Sequence, residues 1–214
     1  MSGCSLANRK RGGTVKVDEE VPSWKEGKGD AYLFDVKIYR EGKKNSVRLD
    51  VYRLGDTISI FARGYLGKGV LKGLLTPDSI ITYSPTEKEY YSGKLADLMK
   101  NGCAENLPLE LTIIELFQKT PAEIDFDLGN FYVVVVSEDD RYRHYRLESR
   151  SCPEGMEVSY TAKNSRFIPD EILYSSSDET FRFEAKRRRA KLNIDIPNEK
   201  IQIDIPSSAV RTSP

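Results

Sequence analysis

Three thiols and one imidazole are the side chains of this 214-residue chain best suited to covalent or metal chemistry: Cys4, Cys103, Cys152 and His144. Their spacing excludes most of that chemistry. No two cysteines form the Cys-x-x-Cys pair of a zinc site or a redox dithiol, and one histidine cannot build a His-based metal centre. A Ser–His–Asp triad would rest on His144 alone, which lies in the Arg- and Tyr-rich stretch 141–148 and reads as a surface strand residue. No Gly-x-Ser-x-Gly elbow occurs. The run Gly64-Tyr65-Leu66-Gly67-Lys68-Gly69 has the look of a phosphate loop, but Ala62 stands where that loop needs glycine and Gly69 where it needs Ser or Thr. Neither metal, cofactor nor catalysis is expected.

Charge is equally restrictive. The 33 basic and 33 acidic residues cancel, so no whole-chain field favours nucleic acid. Lys186-Arg187-Arg188-Arg189-Ala190-Lys191 is the one strong basic run. It reads first as a solvated strand rim, and second as a contact for anionic lipid, worth about 1 kcal/mol per basic residue. No run approaches the ~18 apolar residues of a membrane span.

Ser2-Gly3-Cys4-Ser5 resembles the lipobox that ends a bacterial lipoprotein signal peptide, in which the chain is cut before the cysteine and the cysteine is acylated. The alternative is a chance Ser-Gly-Cys in a disordered N-terminus. No charged and apolar segment precedes it, so Met1 is expected to stand in place of a removed signal. The polar residues that follow suit a tether between anchor and domain. With Cys4 acylated, Cys103 and Cys152 remain as an even pair beside the turns Asn101-Gly102 and Pro153-Glu154-Gly155: either a disulfide or two reduced thiols.

The elements that must position anything are strands. Tyr32, Phe34, Val36 and Ile38 alternate with Leu33, Asp35, Lys37 and Tyr39, the period-two signature of a half-buried strand. Strands follow near 47–51, 57–63, 70–75, 79–83 and 87–91, with turns about every ten residues. Ser92 reads as an N-cap opening a short helix to Gly102, and a second helix is expected from Pro108 to Gln118. Leu107, Leu109, Leu111, Ile113, Ile114, Leu116 and Phe117 would spread over roughly 220° of that helix, wider than one-sided packing needs. Strands resume at 130–137, where Val133–Val136 suggest a central strand covered on both faces, then at 141–148, 157–162, 166–174, 180–191 and 200–205. The end beyond Pro206 reads as frayed.

Residues 57–121 resemble the LolA/LolB-like lipoprotein carriers and receptors, including their uncharacterised lipoprotein branch. The likeness lies in order and spacing: strand Ile58–Arg63, the Gly-Tyr-Leu-Gly turn at 64–67, Thr76-Pro77-Asp78-Ser79 before a strand, Lys88-Glu89-Tyr90-Tyr91 closing it, and two helices joined by Leu107-Pro108-Leu109. Ile201–Ile205 with Pro206 and Ser207 resembles the family's C-terminal end.

The resemblance implies a mainly β fold, an incomplete (half) antiparallel β-barrel of about eleven strands with a short helical lid. The expected divisions are a lipobox remnant and tether at 1–28, the half-barrel at 29–206 with its lid at 92–118, and a disordered tail at 207–214. Phe34, Val36, Ile58, Ile60, Leu109, Ile113, Leu116 and Phe117 are expected to line the cavity and lid. Tyr65 and Leu66 occupy the turn that, in the receptor, presents an exposed leucine to the membrane; the alternative is that they fold back onto the sheet edge. The implied function is that of an outer-membrane lipoprotein on the periplasmic face. It would be held by acylated Cys4, bind acyl chains of a lipoprotein or lipid, and receive them from a periplasmic carrier protein. The basic, polar tether at 8–20 is longer than the family requires. The alternative is a non-catalytic structural or assembly lipoprotein of the cell envelope, whose apolar interior is simply core.

Overall fold

The chain's structure is a computed structural model and describes residues 27–94, 97, 115–123, 131–149, 155–176 and 180–213. Alternating apolar residues and frequent turns give a first meander of β1 (Lys28–Arg40), β2 (Lys43–Leu54), β3 (Thr57–Arg63), β4 (Gly69–Leu75), β5 (Ile80–Ser84) and β6 (Glu89–Gly93). A second meander holds β7 (Phe131–Glu138), β8 (Tyr142–Ser149), β9 (Gly155–Lys163), β10 (Arg166–Ser175) and β11 (Phe181–Asp195). Pairing of β1 with β11 fuses the two, and β12 (Val210–Arg211) adds in parallel to β6. The result is one open twelve-stranded sheet in the order β12-β6-β5-β4-β3-β2-β1-β11-β10-β9-β8-β7. It does not close into a barrel.

Connectivity creates a demand. β6 and β7 are consecutive in the chain but lie ten strand positions apart, about 48 Å measured along the sheet. The segment between them has to cross a sheet face. Its described part does so: Leu116 and Phe117 pack onto strands from both meanders. A twisted open sheet of this many strands curls; we call the face they cover concave and the opposite face convex.

Ser92 lies buried in β6 opposite Ile81, because the strand runs two residues further than its apolar pattern suggests. Most of the expected lid at 92–118 lies outside the described residues, which show helical backbone at Asp97, Glu115 and Leu116. Two other sequence expectations need correction. Val133–Val136 belong to an edge strand, not a central one, with Val135 52% and Val136 45% exposed. A valine run reports β propensity, and propensity does not distinguish edge from centre. Finally, 200–205 forms no strand. After a single 3-10 turn at Asn198–Lys200 the chain runs extended across the convex face, burying Ile201 and Ile205. Extended backbone keeps period two whether or not it pairs, so alternation alone mimics a strand. The chain then enters β12 at the end that the sequence pattern reads as frayed.

Candidate functional site: the concave face

Hairpin geometry builds the concave face. The turn at Glu41-Gly42 sets the β1–β2 register, placing Val36 opposite Val47, Phe34 opposite Leu49 and Tyr32 opposite Val51. On the other side of β1, Val36 meets Ala185. The pattern propagates through Ile58, Leu75, Ile80 and Tyr91 in one direction and Ile168 in the other, all in a single buried cluster. Phe34, Val36 and Ile58 are each 1% exposed, and Ile60 packs against them partly buried. Phe117 closes this cluster edge-on, its ring 5.2 Å from Tyr32 and 6.2 Å from Phe34. Leu116 points to the second meander, onto Tyr145, Leu147, Val158 and Tyr160.

Polar contacts fasten the crossing segment at its rim. Gln118 Nε2 donates to Asp56 Oδ1 (3.1 Å), and Arg143 Nη1 donates to Glu123 Oε1 (3.1 Å) and Thr120 Oγ1 (3.4 Å). Beneath it Tyr145 and Tyr160 stack edge to face at 6.1 Å, and burial pushes the Tyr160 phenol well above its usual pKa.

One end of the face is charged. Asp30, with a side chain only 3% exposed, accepts from Arg53 Nη2 (2.7 Å) and Nε (3.1 Å), Arg166 Nη2 (2.7 Å), the Asn193 backbone N–H (3.1 Å) and Tyr32 Oη (3.4 Å). Burial alone would raise its pKa, but the bonds from Arg53, Asn193 and Arg166 outweigh it and hold the carboxyl below its ordinary value. Tyr32, desolvated and beside that carboxylate, is pushed up to about 12. Arg187, from the basic run, turns inward to Asp170 (2.7 Å) and the Pro169 carbonyl (2.9 Å), whereas Lys186, Arg188, Arg189 and Lys191 stay at least partly exposed. The run is therefore divided by the strand, and one member is structural.

The 64–67 turn is the other singular feature. A 3-10 turn at Tyr65–Gly67, closed by Gly64 N–H to Lys68 O (2.8 Å), holds Leu66 at φ 60° and 80% exposed. Left-handed backbone costs a residue with a Cβ about 1–2 kcal/mol, and this leucine recovers little of it through burial. Beside the turn lies a shallow depression of about 260 Å³ on the convex face.

Among the described residues no three His, Cys, Asp or Glu side chains gather where a metal could bind, and no helix is long and apolar enough to cross a membrane. His144 is half-buried and pairs through Nε2 with Glu157 (3.0 Å). Cys4, Cys103, Cys152, Leu109 and Ile113 lie outside the described residues, as does the side chain of Tyr65. The sequence reading missed the Asp30 cluster. Its signal was present: a hairpin turning at 41–42 pairs residues whose numbers sum to 83, which sets Asp30 against Arg53.

No family model matches the chain, and no curated protein matches it in sequence. Solved structures do resemble it in fold. An uncharacterized conserved protein from Thermus thermophilus aligns over 87% of this chain and 90% of that one, with 9% identity and a TM-score of 0.50. A DUF1329 family protein from Desulfovibrio piger covers 82% and 90%, with 7% identity and a TM-score of 0.48. A putative outer membrane lipoprotein-sorting protein domain from Vibrio parahaemolyticus covers 82% and 89%, with 7% identity and a TM-score of 0.41.

Proposed function

We propose that this chain is a lipid-binding module of the bacterial cell envelope, anchored through acylated Cys4 at the periplasmic face of the outer membrane. The observation that supports it best is the construction of the concave face. Apolar side chains of both meanders form a floor of two buried clusters that meet at Ile172, and the described cover over them includes Phe117 on one and Leu116 on the other, in a segment fastened by polar contacts at the rim. Lifting that segment would expose a long apolar trough, and an acyl chain entering it would regain roughly 25 cal/mol per Å2 of apolar surface removed from water. No covalent chemistry is involved. Cargo, a lipid or the acyl chains of a lipoprotein handed over by a periplasmic carrier, moves to whichever site binds it better. Exposed Leu66 is the contact with the receiving membrane.

The second reading is a structural envelope lipoprotein, favoured by the 1% exposure of Phe34, Val36 and Ile58, which leaves the floor filled as an ordinary core. Native mass spectrometry of gently purified protein separates the two, together with titration by a fluorescent acyl probe. Retained lipid, or saturable probe binding that Phe117→Glu weakens in a folded variant, is the expected result. Bare protein that takes up no probe overturns the lipid-binding reading.

A further inference from the structure

We infer that the depression beside the Leu66 turn is a binding site for the phosphate of an anionic phospholipid headgroup. The inference rests on the reading that this turn meets a membrane. Four of the lining residues are charged and come from four different elements: Asp50 on β2, Arg63 on β3, Lys72 on β4, and Lys200 from the 3-10 turn that opens the C-terminal strap. Three cations against one lining carboxylate leave a net +2, and Lys200 also stands 4.0 Å from Glu199, which does not line the recess. Arg63 is ion-paired with Asp50, while Lys72 stands over the Phe61 ring with its ammonium 5.9 Å from the centroid. Tyr52 and Phe61, edge to face at 6.0 Å, supply an aromatic wall that keeps the site apolar at its base. Arg63 and the two lysines thus face a recess large enough for a phosphate and its glycerol, at about 260 Å³.

Position identifies the source of that phosphate. Gly67 and Gly69 also line the recess, so it begins one residue from Leu66, which stands 80% exposed. An apolar side chain projecting beside a cationic recess matches the layering of a membrane surface, where phosphates overlie acyl chains. A soluble phosphate would use the cations but would give the leucine nothing to enter.

The test uses the full chain carrying Cys4→Ser, so that no acyl anchor contributes, and vesicles of phosphatidylcholine with or without phosphatidylglycerol, read by flotation. The parent is expected to prefer the anionic vesicles. Lys72→Gln with Lys200→Gln should lower that binding about 30-fold, the equivalent of ~1 kcal/mol per lysine, and leave acyl-probe binding unchanged. Lys186→Gln with Lys191→Gln, the same charge removed from β11, should lower it far less. Equal losses in the two double variants would mean diffuse attraction and overturn the site. So would undiminished binding by the first, or binding of glycerol phosphate in solution without preference for anionic vesicles. If Leu66→Glu leaves vesicle binding untouched, the membrane reading of the turn fails separately.

Discussion

The concave and convex faces of the sheet are both covered, but by different kinds of contact. On the convex face the strap from Ile196 to Ala209 buries Ile201 and Ile205 against β1–β6, and its end is built into the sheet. Val210 N–H donates to Lys88 O (2.9 Å) and Thr212 N–H to Tyr90 O (2.8 Å). On the concave face the described cover, 115–123, meets the strands through Leu116 and Phe117 and through side-chain hydrogen bonds at its rim. Both covers bury core side chains, but the convex one adds backbone pairing, whereas the described concave one adds only side-chain bonds, and a cover so held opens locally at lower cost. The greater share of stability therefore falls to the convex face, and the proposed exchange of cargo to the concave one.

The largest expected effect breaks what joins the two meanders. Asp30 ties β1, β2, β10 and β11 together, and Asp30→Ala strands Arg53 and Arg166 without their buried partner. A loss of about 3–5 kcal/mol in urea unfolding is expected. Because the Asp30 pKa is lowered on folding, its contribution is complete above the unfolded value of 3.8 and is lost as pH falls through the lower folded value. The stability of the parent should therefore drop in that acidic window, and the drop should be smaller in Asp30→Asn.

Next comes a pair of truncations, one per face. Ile201→Ala should cost about 2–5 kcal/mol of global stability and leave acyl-probe binding as it was. Phe117→Ala should fall at or below the low end of the ~3–5 kcal/mol usual for a buried phenylalanine, while raising binding of a hydrophobic dye and hastening amide exchange on the concave strands. Equal dye binding by both variants would erase the distinction between the covers.

The smallest effect concerns Leu66. Leu66→Gly relieves left-handed strain of about 1–2 kcal/mol against a glycine entropy cost of about 0.5–1 kcal/mol, so thermal unfolding should show a slight gain in stability. Delivery of cargo to vesicles should nonetheless fall. Destabilisation would mean that the leucine serves the fold.

Most strands were legible because a half-buried strand alternates and most of its turns carry Gly, Asn, Asp or Pro; β3 matches its expected limits residue for residue. The errors have one origin. Val133–Val136 and Ile201–Ile205 each have the local pattern of a paired strand, but what lies on either side of them is set by residues distant in sequence. Of the apolar floor, Phe34, Val36 and Ile58 were predictable from parity, while Ile168 and Ala185 join it only through the β1–β11 pairing.

The sequence by itself determined the strand periodicity, the hairpin registers of the first meander, and a leucine set between glycines in a tight turn. Each depends on neighbours a few residues apart, which local geometry fixes. Only the tertiary structure decided that β6 and β7 fall near opposite ends of the sheet, so that their connection must cross it, and that Arg166 reaches Asp30 across 136 positions. It alone also brought Lys200 beside Lys72. Those outcomes depend on which strand edges find each other, a choice made by the burial of whole faces and invisible in any short window of sequence.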